Sequence, residues 1–558
     1  MESRKDRKRK INNVHKDHEK RIYTMAIIFT VFLGALIGRL FFIQIIKGND
    51  YHYRAKNQWF KEIPVGIERG KIYDRNRNLL TNREEKRYLV IYPEYFLSSD
   101  ENIKIISNIT NIPPYELKNS KLTSNRNIKL EIKNDKKELI KKAMNIKGVY
   151  PIEYNDRYGK NSIAAHAIGY INKIDNTGEK GIEKMYDKLL KENQICKVNA
   201  VVVDAQKKII PGLGYKRTYE GSNKKGKNIV TTLDEEIQKI AEEEFDKLHK
   251  NGSVVVLDAK SGEIVAMVSR PNFDQNNVAA YLESNNKELY NRAIQIGYPP
   301  GSIFKIIVTA AALENEINED HFFCKGYEEI EGIKIKCWRF DKGGHGELNL
   351  EQAFAASCNA AFIQLGQKIG GEKIVAMAKK FGLGSKTNLG LYEEIPGRLP
   401  SEEYMKGAGI GNISIGQGTL EVTPLQIARA TAIIANDGID RGVHLIKRII
   451  DDDGKLIKKN EKNDPKRVIS YDTAKKIQKM MEKVVSEGTA KNKGLGKTCG
   501  KTGSAQAKLN GKNIVHAWFV GFFPGNNPKY VIAIVVEDGV SGGKSAVPVF
   551  RNIKNRIQ

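Results

Sequence analysis

One segment decides where most of this chain can fold: an apolar stretch close to its N-terminus. Residues 22–38 carry no charge, and after Arg39 the apolar run continues as far as Ile46. As a helix, these 25 residues would be roughly 37 Å long, which is enough to cross a bilayer with some tilt. The charge of Arg39 lies near one end of the segment, where it can reach the headgroups. We therefore predict a transmembrane helix over residues 22–46.

The charges that flank this segment predict its orientation. Residues 1–21 contain nine Lys or Arg and four Asp or Glu, a net charge of +5. Because basic flanks stay on the cytoplasmic side, we expect a cytoplasmic tail, a single pass through the cell membrane and an extracytoplasmic main body after Lys47. The alternative is a cleaved signal peptide, but the apolar run is longer than a typical h-region and no A-x-A-like site follows it.

The charge of the whole chain narrows the choice of partners. Across 558 residues, 92 Lys and Arg against 66 Asp and Glu give a formal net charge of +26 and a pI near 9.5. Such a chain favours anionic surroundings. Because the main body is predicted to lie outside the membrane, we expect membrane lipid and cell-wall phosphates as those surroundings, and no nucleic acid.

Beyond the membrane segment, the composition changes near residue 225. Residues 47–225 are rich in Lys, Asn, Glu and Ile, with a strand predicted over 87–93 and short amphipathic helices over 136–146 and 181–192. This region has no nucleophile–base pair and no ligand spacing. We expect it to be a non-catalytic pedestal domain that acts as a spacer or docking surface.

Residues 226–558 have the pattern of one α+β domain. Residues 233–250 predict an amphipathic helix, and the apolar runs in 253–269 and 516–539 predict two β-hairpins. The region between the hairpins, roughly 280–490, is Ala- and Gly-rich and mainly helical in pattern. Strands from both ends that enclose a helical insert predict an antiparallel sheet flanked by helices.

The first chemical motif of this domain is Ser302-x-x-Lys305, at the start of a predicted helix. Residues three apart lie on one face of a helix, so the Lys305 ammonium can reach the Ser302 hydroxyl. Serine is a poor nucleophile until a base removes its proton, and a desolvated lysine can be that base. An isolated copy of this motif is weak evidence, because serine is also a common helix N-cap.

Two further motifs follow in order, Ser357-x-Asn359 and Lys501-Thr502-Gly503. Ser357 offers a hydroxyl that can pass a proton between Lys305 and a leaving amine, and Asn359 can hydrogen-bond a substrate amide. The lysine and threonine of the second motif supply a cation and a donor for a terminal carboxylate. The glycine lets its strand approach a ligand closely.

The set S-x-x-K, S-x-N and K-T-G is that of penicillin-binding proteins and serine β-lactamases. The chain resembles a class B, monofunctional penicillin-binding protein over nearly everything after residue 30. It departs from the usual pattern at Ile303 and Ser504, where Thr is common, and in a second Pro before Gly301. None of these departures removes a catalytic group. Further stretches that resemble the family are 69–76, 181–184, 291–293, 416–418, 487–490 and 501–506.

This resemblance implies a D,D-transpeptidase that cross-links peptidoglycan stem peptides and is acylated by β-lactams. Ser302 would attack the D-Ala–D-Ala carbonyl with Lys305 as base, and the backbone N–H groups of Ser302 and Ser504 would hold the oxyanion. Catalysis would need no cofactor. The resemblance also implies partners: a glycan-strand polymerase and proteins of elongation, division or spore-wall synthesis.

Three other functions are compatible with parts of the sequence. A β-lactamase uses the same motifs, but it would be a compact secreted domain without a pedestal or an anchor. A β-lactam-binding sensor normally has several spans and a cytoplasmic signalling part, for which 21 residues are too few. A membrane-anchored scaffold that binds division or elongation proteins is a non-enzymatic alternative and is compatible with catalysis in the same chain.

Four soft ligands lie within 35 positions, spaced C-x12-C-x7-H-x12-C: Cys324, Cys337, His345 and Cys358. Three cysteines and a histidine are a standard tetrahedral zinc set. Alternatives remain open: a Cys324–Cys337 disulfide, a small buried residue at Cys358, and a structural His345. We expect a closed, structural zinc site that braces the S-x-N segment without touching substrate.

Overall fold

The chain is described from a computed structural model. The structure describes residues 4–558 except 94, 119–127, 160–161, 174, 192–194, 203, 205–209, 211–214, 221–225, 318–320, 461–463 and 510. The helices are α1 Arg4–Phe41, α2 Gly48–Trp59, α3 Asp100–Thr110, α4 Pro114–Glu116, α5 Lys137–Met144, α6 Ala165–Ile168, α7 Gly181–Met185, α8 Asp187–Lys191, α9 Glu235–Asp246, α10 Lys305–Glu314, α11 Leu350–Ala355, α12 Asn359–Ile369, α13 Gly371–Lys380, α14 Gly409–Ser414, α15 Pro424–Ala435, α16 Tyr471–Ser486 and α17 Val547–Ile557. The strands are β1 Phe60–Glu68, β2 Ile72–Tyr73, β3 Glu84–Ile91, β4 Ile128–Glu131, β5 Val149–Asp156, β6 Ile171–Asn172, β7 Thr177–Gly178, β8 Ile195–Val202, β9 Tyr215–Glu220, β10 Lys227–Thr231, β11 Gly252–Asp258, β12 Ile264–Arg270, β13 Phe322–Cys324, β14 Tyr327–Ile330, β15 Ile333–Lys336, β16 Gly346–Leu348, β17 Ile439–Asp440, β18 Ile446–Asp451, β19 Leu456–Lys459, β20 Lys466–Arg467, β21 Cys499–Leu509, β22 Lys512–Phe523 and β23 Tyr530–Val536.

The chain divides into two compact units. The first comprises residues 1–66, 86–154 and 196–220, and the second comprises residues 67–85, 155–195 and 221–558. Two segments from the predicted pedestal range therefore group in space with the C-terminal unit. The sequence boundaries at residues 21, 46 and 225 stay a prediction.

The first unit begins with the apolar helix. Helix α1 runs on through a π-helical turn, Phe42–Ile46, and the side chains from Ile22 onward are mostly exposed. Within the described part of the chain, Lys20–Ile46 is the one segment that is long and apolar enough to cross a membrane. The length and composition of this helix suggest a single-pass membrane anchor.

The rest of the first unit contains a three-stranded sheet of order β4-β3-β5. Helices α3 and α5 pack together, and their isoleucines and alanine share a buried cluster with Leu89 and Ile91 of β3. The strand predicted over 87–93 is present as β3, and the helix predicted over 136–146 is present as α5. In the second unit, residues 181–191 of the segment 181–192 form two short helices, α7 and α8, in place of one, and residue 192 lies outside the described residues.

The second unit is built on a five-stranded antiparallel sheet of order β12-β11-β23-β22-β21. Both predicted hairpins are present, and the predicted helix is α9. Strands β12 and β23 are buried at every residue, because helices including α9, α15 and α17 pack on the sheet. Their nearly uninterrupted apolar sequences match a sheet that is covered by helices. The fold is therefore the predicted α+β arrangement.

The insert between the hairpins is less purely helical than its sequence indicates. Helices α10 to α16 dominate it, but two short ribbons, β13–β16 and β14–β15, lie between α10 and α11. Strands of three or four residues are too short to leave a clear alternation in the sequence. We call residues 322–348 the Cys/His lobe, because they contain three of the four soft ligands.

Candidate active site

Ser302 lies in a 3₁₀ turn, Gly301–Phe304, that leads directly into helix α10. The sequence predicts an α-helix from this point, and the structure places the first α-helical residue at Lys305. In a 3₁₀ turn residues i and i+3 project on the same side. The contact of the Lys305 ammonium with the Ser302 hydroxyl stays a prediction. The turn is fixed from behind, because the Gly301 N–H donates to the Gly416 carbonyl at 2.8 Å.

Lys305 is fully buried at the head of α10. Its Nζ donates to the Ser357 carbonyl at 2.8 Å and to Asn359 Oδ1 at 2.9 Å, and lies 3.4 Å from Ser357 Oγ. Burial lowers the pKa of Lys305 to about 8, against an opposing effect of the Cys358 and Cys337 thiols. A lysine with such a pKa has an appreciable neutral fraction near neutral pH, which a general base requires.

Ser357 occupies a strained position between α11 and α12. Its φ of +54° is left-handed, which costs a non-glycine residue on the order of 1 kcal/mol. The turn is held by backbone bonds from Ser357 to Phe354 at 3.1 Å and from Cys358 to Ala353 at 2.9 Å. Ser357 Oγ, as a result, lies between two lysines, 3.4 Å from Lys305 Nζ and 2.9 Å from Lys501 Nζ.

Lys501 comes from β21, the edge strand of the five-stranded sheet. It is fully buried, and its Nζ also donates to the Thr502 carbonyl at 3.1 Å. Burial, together with the charge of Lys305, lowers the pKa of Lys501 well below its usual value. Both ammonium groups lie over aromatic rings, Lys305 over Phe362 at 5.1 Å and Lys501 over Phe354 at 5.7 Å.

The K-T-G strand touches the turn that carries the nucleophile. A Cβ at Gly503 would lie 3.0 Å from Ile303 Cγ2 and 3.2 Å from the Pro300 carbonyl oxygen. Glycine at this position thus lets β21 pack against the nucleophile turn. Its predicted role in the close approach of a ligand stays a prediction. Ser504 is held in turn by the Gly542 N–H, which donates to Ser504 Oγ at 3.2 Å.

These elements enclose a cleft of about 430 Å³. Lys305 and Lys501 are fully buried and do not line the cleft, but both contact Ser357 Oγ, which does. The cleft brings together most of the sequence-predicted residues, and its lining consists of Ser302, Trp338, Ser357, Asn359, Thr489, Thr502, Gly503, Ser504, Ser541 and Gly543.

Four of the lining residues were not assigned a role from the sequence. Trp338 is 59% exposed, and its Nε1–H donates to the Ala356 carbonyl at 3.0 Å. Thr489 belongs to the family-like stretch 487–490, which was noted without a function. Ser541 and Gly543 follow β23. For Thr489 the resemblance of 487–490 to the family was the available signal, but no local pattern in the sequence connects these segments to the cleft.

The four predicted metal ligands form one cluster behind the S-x-N segment. His345 Nδ1 lies 3.5 Å from Cys324 Sγ and 3.6 Å from Cys337 Sγ, and Cys337 Sγ lies 4.0 Å from Cys358 Sγ. All four ligand atoms lie within 4.8 Å of one another, and the three cysteines are buried, free thiols. The thiol of Cys358, hydrogen-bonded to Cys337, lowers the pKa of Cys337.

This geometry fits a tetrahedral zinc ion, and both cysteines of the alternative Cys324–Cys337 disulfide are free thiols. With zinc–sulfur bonds of about 2.3 Å, two thiolate ligands lie about 3.8 Å apart, close to the spacing of Cys337 and Cys358. A disulfide needs sulfur atoms about 2 Å apart. Cys358 is also the N-cap of α12, where its Sγ accepts from the Ala361 N–H at 3.5 Å. An ion held by this residue would therefore touch the segment that carries Ser357 and Asn359.

The cleft combines three features: Ser302 in the turn that leads into α10, Ser357 between two lysines, and the K-T-G motif on an edge strand of an antiparallel sheet. This combination is typical of the serine acyltransferases that react with penicillin. Residues 252–555 match the model of the penicillin-binding protein transpeptidase domain, and residues 64–231 match that of the penicillin-binding protein dimerisation domain. The chain belongs to the penicillin-binding protein transpeptidase family, and the resemblance to its class B members is confirmed.

Three similar proteins illustrate the match. Stage V sporulation protein D of Bacillus subtilis is 33% identical over 94% of this chain and 84% of its own length. Peptidoglycan D,D-transpeptidase MrdA of Acinetobacter baumannii is 28% identical over 95% of this chain and 88% of its own. Among solved structures, penicillin-binding protein PBP2 in its complex with MreC from Helicobacter pylori is 26% identical, covering 89% of this chain and 99% of its own, with a TM-score of 0.67.

Proposed function

We propose that this chain is a membrane-anchored peptidoglycan D,D-transpeptidase that cross-links stem peptides through an acyl-enzyme on Ser302. The observation that carries this proposal is the contact of one hydroxyl, Ser357 Oγ, with two buried lysines in the cleft that Ser302 lines. Relatives that align with almost the whole chain include an enzyme named as a peptidoglycan D,D-transpeptidase. Nothing in the comparisons favours the sensor or the scaffold alternative.

Acylation follows from the position of Lys305. Its neutral amine takes the proton of Ser302 Oγ, which attacks the carbonyl carbon between the two D-Ala residues. The backbone N–H groups of Ser302 and Ser504 hold the oxyanion, and one such donor is worth about 3 kcal/mol in other acyl-transfer enzymes. When the C–N bond breaks, the proton passes from Lys305 through the Ser357 hydroxyl to the leaving amine of D-Ala.

Recognition and deacylation use the remaining groups. The Asn359 side chain binds an amide of the donor peptide, and Thr502 donates to its terminal carboxylate. Lys501 is buried against Ser357, so it attracts the carboxylate electrostatically and not through a direct hydrogen bond. The amine of a neighbouring stem peptide then attacks the Ser302 ester and loses its proton along the same path in reverse, which forms the new peptide bond and frees the serine.

The experiment that tests this function is labelling with a fluorescent penicillin, paired with complementation of a null strain. We expect Ser302→Ala to lose labelling completely and Lys305→Ala to lose it by orders of magnitude. Lys501→Ala should keep the nucleophile and weaken ligand recognition. Labelling that survives Ser302→Ala would refute the mechanism. Complementation by an unlabelled Ser302→Ala chain would support the scaffold alternative.

We also propose that Cys324, Cys337, His345 and Cys358 hold one structural zinc ion. With all four positions filled by protein ligands, zinc would leave no site for a water and would supply rigidity only. What supports the proposal is the closeness of four soft ligand atoms, three of them on buried thiols. Elemental analysis tests it: about one zinc per chain is expected, and a metal-free, fully active sample would refute the site.

The localisation and partners complete the proposal. The basic residues 1–21 support a cytoplasmic N-terminus, with the catalytic unit on the other side of the membrane. The Helicobacter pylori structure pairs PBP2 with MreC, which supports a partner of that kind for this chain, beside a glycan-strand polymerase and elongation, division or spore-wall proteins. The Bacillus subtilis relative is named for sporulation, so a sporulating null strain is the first host for complementation.

A further inference from the structure

The loop after helix α16 contributes a hydroxyl to the cleft that the mechanism above does not use. This loop, residues 487–490, is pinned at both ends. At its first end the Glu487 N–H donates to the Lys483 carbonyl at 2.9 Å. At its other end the Thr489 N–H donates to the Ala355 carbonyl at 3.2 Å and the Ala490 N–H to the Val484 carbonyl at 3.0 Å. Ala355 is the last residue of α11, directly before the turn that carries Ser357. The loop therefore connects α16 to the S-x-N segment.

The close approach of the loop to α11 depends on Gly488. A Cβ at this position would lie 2.2 Å from the Ala355 carbonyl oxygen, which no real side chain tolerates. With glycine there, the backbone of Thr489 reaches Ala355 and its side chain is directed toward β21. The position of the Thr489 hydroxyl is thus set by the backbone.

The Thr489 hydroxyl meets the hydroxyl of the K-T-G threonine. The two Oγ1 atoms of Thr489 and Thr502 are 2.5 Å apart, and both residues line the cleft. Each hydroxyl has one hydrogen and two lone pairs. The bond between them uses one of the two hydrogens, so one hydrogen is left for a ligand.

We propose that Thr489 is a positioning residue for carboxylate recognition: it donates to Thr502 Oγ1, so that the Thr502 hydrogen is directed at the carboxylate of the donor peptide or of a β-lactam. An oxygen that accepts a hydrogen bond becomes a stronger donor through its own O–H. The Lys501 ammonium is fully buried and uses two of its three hydrogens on Ser357 Oγ and the Thr502 carbonyl, whereas the Thr502 hydroxyl belongs to a residue that lines the cleft. The inference rests on the proposed carboxylate-binding role of Thr502.

The test compares acylation by benzylpenicillin, which has a free carboxylate, with acylation by its neutral methyl ester. We expect Thr489→Val, which keeps the side-chain shape, to slow acylation by the acid about tenfold and to leave that by the ester within about twofold. Thr489→Ser, which keeps the hydroxyl, should restore most of the rate with the acid. In a Thr502→Val background, Thr489→Val should cost nothing further, since the two hydroxyls act as one unit.

Thr498→Val is the matched control. Thr498 is 1% exposed and lies outside the cleft lining, and its hydroxyl donates to the Leu495 carbonyl at 2.6 Å. Loss of this hydroxyl should lower thermal stability without changing the acid-to-ester ratio. Equal slowing of both ligands by Thr489→Val would mean a structural role only and would overturn the inference. A larger loss at Thr489 than at Thr502 would overturn it too, because Thr489 would then touch the carboxylate itself.

The same series separates this inference from the function on which it rests. If Thr502→Val changes the acid-to-ester ratio and Thr489→Val does not, the inference alone fails. If Thr502→Val leaves the ratio unchanged, the proposed carboxylate role of the K-T-G threonine fails and the inference falls with it. Labelling of Ser302 in all variants shows independently that the acylation chemistry is intact.

Discussion

The five-stranded sheet and the Cys/His lobe both contribute to one cleft, the sheet through Thr502, Gly503 and Ser504 and the lobe through Trp338. Strands β12 and β23 of the sheet are buried at every residue, whereas all of β15 in the lobe is at least partly exposed. The sheet is therefore stabilised by apolar burial, and the lobe has little apolar area of its own to bury.

A two-stranded ribbon is only marginally stable by itself, and the lobe consists of two such ribbons of three or four residue pairs. The buried side chains of the lobe include Phe322 and Ile330 together with Cys324 and Cys337, which meet His345 and Cys358. The two sides of the cleft thus differ in what stabilises them: whole buried strands in the sheet, and in the lobe a few buried side chains, among them the thiols of the Cys/His cluster. Substitutions in each should differ in kind as well as in size.

The largest effect is expected from a cavity in the sheet. Phe519 is fully buried beside Thr502 in the β21–β22 pairing, and its ring lies 4.8 Å from that of Phe550. We expect Phe519→Ala to lower the free energy of unfolding by about 3–5 kcal/mol, measured by denaturant titration. The matched change in the lobe, Phe323→Ala at a side chain that is 60% exposed, should cost less than about 0.5 kcal/mol. Similar losses at both positions would contradict the contrast.

The pH dependence of acylation tests the base that lies between the two regions. Burial lowers the pKa of Lys305 to about 8, so the protonated form, which cannot act as a base, dominates below that pH. The acylation rate should therefore rise with pH and level off above about 8, with a fall of about tenfold per unit on the acid side. Stopped-flow measurement with a chromogenic cephalosporin would provide the profile. A rate that does not change between about pH 6 and pH 9 would exclude Lys305 as the titrating base.

The next effect concerns the cluster of the lobe. Cys358→Ser removes one of the four proposed zinc ligands, and we expect a lower zinc content, a lower melting temperature and acylation slowed by about tenfold or more. Cys499→Ser is the control, since Cys499 is equally free and buried but lies in β21, outside the cluster. Metal content and acylation rate should not change in that variant. If both substitutions slow acylation equally, a general loss of packing explains the effect better than a lost ligand.

The same contrast explains what the sequence could and could not predict. Four strands of the sheet, β11, β12, β22 and β23, were predictable because they are apolar runs, whereas β21 has no such pattern. Ser302 and Lys305 were predictable because their spacing is local. The ribbons of the lobe are too short to leave a pattern. The left-handed φ of Ser357 follows from the helices around it, and serine carries no signal for such a backbone. The contact between Thr489 and Thr502 joins residues 13 positions apart. It depends on how the loop 487–490 folds back on β21, and no helix or strand periodicity predicts that.

The smallest expected effect is at Trp338, the lobe residue that lines the cleft. Trp338→Phe keeps an aromatic ring and loses the bond from Nε1 to the Ala356 carbonyl, which is worth about 1 kcal/mol or less at an exposed position. Acylation should therefore change by no more than about threefold and the melting temperature by very little. In the sheet, Trp518→Phe removes a comparable bond, from Nε1 to the Pro299 carbonyl at 3.1 Å, but it also leaves a cavity at a fully buried residue beside the nucleophile turn. That variant should melt at a clearly lower temperature.

Differential scanning calorimetry and acylation rates on both variants measure the difference. A larger drop in melting temperature for Trp338→Phe would mean that the lobe stabilises the fold more than its exposed strands indicate.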